Sequence, residues 1–296
     1  MTSRAYALLI LTALIWAGNS VAGKIGVGHI DPILLTTLRW GAAVAVILPL
    51  SFKRLQMDWA MVRQSWPLLI GSGVVGFGLF NMLLYTALNH ANVVNVMIEQ
   101  AGIPILIFAG NFVLFRTRAT VLQLAGYALT LIGVVVTAAQ GELARLLGLQ
   151  LNVGDALMLL AVVLYAGYTV TLRWKPNVHW QSLLAVQAVG GLLACVPFFG
   201  WHYAHVPLVM PDLTGWGVVL YAALFPSLVA AAAYIAGVEL IGANRAGIFI
   251  NLLPIFGVLL SVVILRAPLH GYHFVAIALV CAGIVLSERG RARVVA

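Results

Sequence analysis

Apolar residues run along this chain in blocks of roughly the length of a membrane helix, and the polar positions that interrupt them are few. Uncharged runs lie between Arg4 and Lys24, Arg118 and Glu142, Asp155 and Arg173, Arg245 and Arg266, and Arg266 and Glu288. Ile33–Phe52 carries only Arg39, Ser65 to Phe115 is divided near Asn89–Asn92, and Pro176 to Gly237 is divided at GWHYAHVPLVMPD. A hydrocarbon core about 30 Å thick takes about 20 residues as a helix. The pattern therefore predicts an all-α integral membrane protein with ten transmembrane helices.

Composition agrees: 63% of the 296 residues are hydrophobic and 8% are charged, too few to solvate a soluble domain. The first apolar block, Arg4 through SVAG, has the outline of a signal peptide, but a close relative of it recurs mid-chain. Cys195 and Cys281 stand alone in apolar runs and suggest neither a disulfide framework nor a metal site.

The recurrence is specific. LTALIWAGNSVAGKI (Leu11–Ile25) set against LAVVLYAGYTVTLRW (Leu160–Trp174) matches Trp16 with Tyr165, Ser20 with Thr169, Val21 with Val170 and Lys24 with Arg173 at an offset of 149. Tyr85 with Tyr234, Pro104 with Pro254, Arg116 with Arg266, and Gly133 with Gly283 follow in order at offsets of 149 or 150. The chain is expected to be a duplicated five-helix unit, residues 1–145 and 146–296, forming one transport unit. Five is odd, so the second copy enters the membrane from the opposite side, giving an inverted repeat.

Charge placement bears on orientation. With the N-terminus inside, cytoplasmic segments hold twelve of the sixteen basic residues, while Lys24, Arg145 and Arg266 fall outside and Arg39 lies within a span. That satisfies the positive-inside rule and predicts both termini on the cytoplasmic side of the membrane. The net charge of +8 is then explained by orientation and contact with anionic lipid headgroups, with no nucleic-acid partner needed.

Two five-span halves opening with WAGNSVAGK and YAGYTVTLR, each ending in a Pro-bearing span, a basic turn and a Gly-containing last span, resemble the drug/metabolite transporter superfamily, EamA type. The resemblance covers nearly the whole chain. It implies a central cavity between the halves and alternating access, and within the superfamily the layout is similar to bacterial exporters of aromatic and other neutral amino acids.

GSGVVG (Gly71–Gly76) fits a dinucleotide-binding spacing, but that motif works only between a strand and a helix. Inside an apolar span its small residues are expected to let helices approach closely. No enzyme motif appears, and no cofactor is expected. His202, His205 and Asp212, flanked by Trp201 and Trp216, are the nearest approach to a catalytic group, and an interfacial loop accounts for them.

Polar residues inside spans usually face other helices or a wet cavity. Asn92, Asn95, Glu99 and Gly102 follow a 3, 4, 3 spacing along one helical stripe, and Asn244, Gly247, Asn251 and Pro254 repeat it. Asn81, Tyr85 and Asn89 form a third stripe, and Trp16, Asn19, Ser20, Tyr165, Tyr168, Thr169 and Tyr234 add further cavity candidates. Such a lining, aromatic and amide-rich, suits an amphiphilic organic solute better than a bare ion. AGIP and LLP are sites where proline kinks a helix or frees backbone groups for the solute.

Arg39 and Glu99 lie at a common depth, roughly 9 Å inside the outer boundary at about 1.5 Å per residue, so they are candidate partners. Three readings of Glu99 stand together: a structural ion pair with Arg39, a titrating carboxylate coupled to proton movement, or a charge that holds an amino acid. The expected activity is export of a small-molecule substrate, neutral or aromatic amino acids foremost, by a carrier with lipids as its other contacts. A broader drug or metabolite exporter, a membrane-embedded enzyme and a non-transporting scaffold are the alternatives.

Overall fold

A computed structural model describes residues 2–116, 120–142, 152–241, 249 and 252–292, and every regular element within them is a helix. The first half holds α1 (Thr2–Ile25), α2 (Pro32–Gln64), α3 (Trp66–Gly73), α4 (Phe80–His90), α5 (Val93–Glu99), α6 (Ile103–Phe115) and α7 (Val121–Ala138). The second holds α8 (Val153–Thr171), α9 (Trp180–His205), α10 (Leu213–Leu224), α11 (Ala230–Ile241), α12 (Leu252–Leu265) and α13 (Gly271–Ala292). Three joints are helical too. A π turn, Val74–Leu79, joins α3 to α4, a second, Phe225–Val229, joins α10 to α11, and a 3-10 turn, Gln100–Gly102, joins α5 to α6.

Local chemistry sets the ends. Asp31 accepts from the Ile33 and Leu34 amides ahead of α2, Asn92 from Val94 ahead of α5, Asn152 from Gly154 ahead of α8 and Asp212 from Gly215 ahead of α10. Each satisfies a first-turn amide that has no carbonyl partner within its helix. Thr120 and Gln123 form a reciprocal capping box at the start of α7. The helices α6 and α12 stop at Arg116 and Arg266, both in the left-handed region with φ of 54° and 50°.

Seven helical stretches are long and apolar enough to cross a membrane, and Val121–Thr137, Leu252–Leu265 and Gly271–Ser287 are shorter apolar helices. Large apolar side chains such as Leu50, Val113, Val121, Leu213 and Val263 are exposed, whereas Thr36, Ser51, Asn95, Glu99 and Asp155 are buried. This is the reverse of a soluble fold and the arrangement a lipid solvent favours. The protein is an all-helical, multi-pass membrane protein.

One boundary differs from the sequence expectation. The apolar stretch Ile33–Phe52 does not end its helix there: α2 runs unbroken to Gln64 and carries Lys53, Arg54 and Arg63. The segment KRLQMDWAMVRQ is rich in strong helix formers, and Asp58 Oδ2 fixes it by accepting from the His179 amide at 2.8 Å.

The halves interleave. From the first half, α1 packs on α11 and α12; from the second, α8 packs on α4 and α6, while α2 pairs with α9 and α7 with α13. Small residues set the closest approaches. A Cβ added at Gly73 would collide with the Gln187 backbone, and one at Gly76 with the Tyr168 ring, which is the close contact that GSGVVG suggested. Gly71, in the same motif, has no neighbouring atom within 4 Å of its would-be Cβ.

That difference predicts opposite effects of one methyl group. Gly73→Ala should destabilise by about 1–3 kcal/mol through overpacking, whereas Gly71→Ala should be neutral or gain about 0.5–1 kcal/mol from helix propensity. Thermal unfolding of the two purified variants in detergent checks this, and equal midpoints would contradict the close α3–α9 contact.

Candidate functional site

Both π turns and the 3-10 turn meet at one cavity of about 160 Å³. A π turn inserts a residue into the i→i−4 ladder, so it displaces carbonyls from their usual donors and re-aims side chains. Here side chains take up those carbonyls. Trp40 Nε1 and Asn81 Nδ2 donate to Phe77 O at 3.1 and 2.8 Å, and Trp16 Nε1 donates to Pro226 O at 3.1 Å. Ser227 Oγ donates to Ala222 O, five residues back, at 2.9 Å.

The cavity wall is mostly apolar and aromatic, with Trp16, Trp40, Phe77, Phe80 and Tyr165 lining it beside Pro104, Pro226 and Pro254. Its polar groups are Asn19, Ser20, Asn81, Gln100, Ser227 and Arg39. Arg39 is 4% exposed, and four neutral residues hold it. Nε donates to Ser227 Oγ at 3.0 Å, and Nη1 donates to Tyr85 Oη at 2.6 Å, to Asn19 Oδ1 at 3.2 Å and to Asn81 Oδ1. Tyr85 Oη donates in turn to Asn19 Oδ1 at 2.8 Å. The guanidinium carbon lies 4.9 Å from the Trp40 ring centroid and 5.9 Å from that of Tyr85, within reach of the ring quadrupoles. Among the described residues no carboxylate pairs with Arg39, and nothing accepts a hydrogen bond from Nη2.

The candidate residues therefore divide. Trp16, Asn19, Ser20, Asn81 and Tyr165 line the cavity. Tyr85, 1% exposed, supports Arg39 from behind, and Tyr234 stacks obliquely on Trp16 at 5.5 Å between centroids. Tyr168 lies against Gly76 and tilts towards Tyr165 at 5.3 Å. Thr169 donates to Tyr165 O within its own helix, as a β-hydroxyl commonly does. Asn92 is a cap. Asn251, Asn244 and Gly247 lie outside the described residues, while Pro254 of the same stripe lines the cavity.

The Arg39–Glu99 pair is not formed. Glu99 is 0% exposed and, among the described residues, neither carboxylate oxygen has a hydrogen-bond partner. Equal depth does not bring two side chains together when they leave their helices in different directions. Asn95 shares the face of Glu99 and donates to Asp155 Oδ1 at 3.4 Å, away from the cavity, while the next residue, Gln100, lines it.

Sequence reasoning missed Trp40, Phe77, Phe80, Gln100 and Ser227. A signal for Ser227 and Phe77 was present: Pro226 falls 149 residues after Phe77, the offset that matched Tyr85 with Tyr234.

A multi-pass helical bundle with a buried, largely aromatic cavity at its helix breaks has the architecture of a solute carrier. A family model described as the EamA-like transporter family matches residues 3–139 and 152–289. The chain belongs to that family of transporters. YetK of Bacillus subtilis, named an uncharacterized transporter, is 28% identical over 96% of this chain and 86% of its own length. A Salmonella typhimurium protein named a probable amino-acid metabolite efflux pump is 25% identical over 96% of this chain and 94% of its own. A crystal structure 22% identical in sequence superposes with a TM-score of 0.68 over 98% of this chain and 100% of that one, which supports the fold.

Trp16 has two separable functions in this geometry, a donor to Pro226 O and a wall of the cavity. Trp16→Phe keeps the ring surface and leaves the carbonyl unpaired, so it should lower stability by about 1 kcal/mol. Trp16→Ala removes both and should cost more. Thermal melts of the two variants measure the difference, and a Phe variant as stable as the parent would mean the indole bond contributes nothing.

Proposed function

We propose that this chain is a secondary transporter of the inner membrane that exports small organic solutes carrying a carboxylate and an apolar body, neutral and aromatic amino acids foremost. The observation that carries the reading is Arg39, a buried cation at the cavity wall whose hydrogen-bond partners are all neutral and whose Nη2 is unused among the described residues. A buried charge is costly without compensation, and a solute carboxylate supplies it with a charge-assisted bond. Trp16, Phe80 and Tyr165 offer flat surface to the rest of the solute, and their ring faces accommodate an ammonium. A cationic drug finds like charge there. The Salmonella relative's name, with its amino-acid metabolite efflux, supports the same class.

Transport is by alternating access between two inverted five-helix repeats, ten spans in all, with the three shorter apolar helices completing the set. The exchange of partners supports this: α1 packs on α11 and α12 as α8 packs on α4 and α6, while α2 with α9 and α7 with α13 pair like with like. The two blocks matched by the family model lie 149 residues apart at their starts.

Two experiments test the proposal. Proteoliposomes loaded with labelled phenylalanine should show flux that Arg39→Gln reduces about tenfold to a hundredfold, the loss of one charge-assisted bond of about 1.5–3 kcal/mol. Flux of carboxylate solutes that survives this change, or none in the parent, would refute the solute class. For orientation, a single cysteine placed at Glu142 in a chain lacking Cys195 and Cys281 should react with an impermeant reagent added outside the inner membrane. Reaction only after permeabilisation would reverse the topology.

A further inference from the structure

A second polar centre lies beside the cavity. Glu99 ends α5 and Asp155 lies in the first turn of α8; both residues are 0% exposed. Glu99 Oε1, Glu99 Oε2 and Asp155 Oδ2 have no hydrogen-bond partner among the described residues, and Asp155 is near enough to act electrostatically on Glu99. A buried carboxylate with no hydrogen-bond partner, set near a second carboxylate, is strongly disfavoured as an anion. The centre must hold a cation, and the geometry points to which.

We propose that Glu99 and Asp155 form a proton-binding site separate from the solute cavity and linked to it through the 3-10 turn Gln100–Gly102. The surrounding donors are unequally shared. The His270 amide donates to His273 Nδ1 at 2.9 Å, so the neutral ring carries its hydrogen on Nε2 and donates to Asn95 Oδ1 at 2.9 Å. With its oxygen so occupied, Asn95 turns its amide nitrogen to Asp155 Oδ1, and the Gln140 side chain also hydrogen-bonds the Asp155 carboxylate. Asp155 further gains from the positive end of α8, whereas Glu99 lies inside a helical run that continues through Gln100–Gly102 into α6 and has no helix N-terminus beside it. Asp155 is thus the anion and Glu99 the acid: binding forms an O–H bond at Glu99, and release returns that proton to water.

A metal cation would want several fixed oxygens at once, and Asn95 Oδ1 is already taken by His273 and, at 3.4 Å, by Tyr272. Other titratable groups on helices packed against α5 have places of their own: Tyr165 on α8 lines the solute cavity, Tyr168 packs on Gly76, Tyr6 on α1 lies against Phe249, Arg4 lies near the start of α1 and Cys281 near the middle of α13. Lys24 Nζ on α1 donates to Leu88 O and Ala91 O at 2.6 and 3.2 Å, Tyr85 on α4 serves Arg39, His90 at the end of α4 is exposed, and Tyr127 on α7 stacks on Phe108. The described residues of α12 contain no titratable side chain. Gln100, the residue after Glu99, and Pro104, five residues after it, line the cavity. A change of charge on Glu99 therefore acts on the backbone that forms the cavity wall.

Proton binding stands without the transporter reading; its coupling to flux rests on that reading. Infrared difference spectra of the full chain in lipid vesicles, between acid and alkaline buffers, should show the carbonyl band of a protonated buried carboxyl. Glu99→Gln should abolish the band, and Asp155→Asn should keep it while shifting the pH at which it disappears. A band unchanged in Glu99→Gln, or absent from a folded parent, overturns the proton site. In the same vesicles labelled phenylalanine flux should rise several-fold with an imposed pH gradient, and Glu99→Gln should flatten that response. Phenylalanine flux in the parent that ignores the pH gradient, or follows a sodium gradient instead, overturns the coupling. No phenylalanine flux at all counts against the solute assignment, while the infrared band still decides the proton site.

Discussion

One constraint organises the centre of this protein: a guanidinium must be kept in a buried site with, among the described residues, no carboxylate paired to it. Arg39 meets it by drawing acceptors from three separate parts of the chain, Asn19 on α1, Asn81 and Tyr85 on α4, and Ser227 in the second π turn. Those acceptors are available because the helices carrying them depart from regular winding. Ser227 donates five residues back while accepting from Arg39, and Asn81 is oriented by its bond to Phe77 O. The irregular turns, the tryptophan indoles that cap their carbonyls and the cavity they enclose thus belong to one hydrogen-bonded unit. Regular helices through Phe77 and Pro226 would aim these groups elsewhere.

The polar interior is divided between two neighbouring residues. Glu99 and Gln100 are consecutive, yet one belongs to the acidic centre with Asp155 and the other to the cavity wall. Successive residues of a helix project about 100° apart, so a single turn serves two compartments. The change from α to 3-10 winding falls at this step. Pro104, which has no amide hydrogen, denies Gln100 O the partner that a continuous α-helix would provide.

Much of this was legible in the sequence. A residue such as Asn19 or Asn81 in an apolar stretch needs a polar neighbour or a cavity, and both found one. The recurrence at offsets of 149 and 150 reappears in two arginine-terminated helices and two π turns. The stripe of Asn95 and Glu99 was also real, since the two residues share a face; what periodicity could not supply was the identity of the helix opposite. That face meets Asp155 and His273, not Arg39. Depth in the membrane follows from counting residues, but the direction of a side chain around the helix axis depends on neighbours far away in the chain. Trp40 and Phe80 escaped for a related reason: an aromatic residue in an apolar run looks the same whether it faces lipid, core or cavity.

The interleaving of the halves bears on how the chain is made. The surface of α1 that ends up against α11 and α12 is synthesised about 200 residues before those helices exist. At a translation rate of about 5–20 residues per second, that surface waits for tens of seconds. Thr12, whose hydroxyl contacts Ala230 O in the finished protein, and Trp16, whose indole caps Pro226 O, spend that interval without their partners. Biogenesis therefore has to shelter a polar-spotted first helix, in the insertion machinery or against its own half, until the last third of the polypeptide arrives.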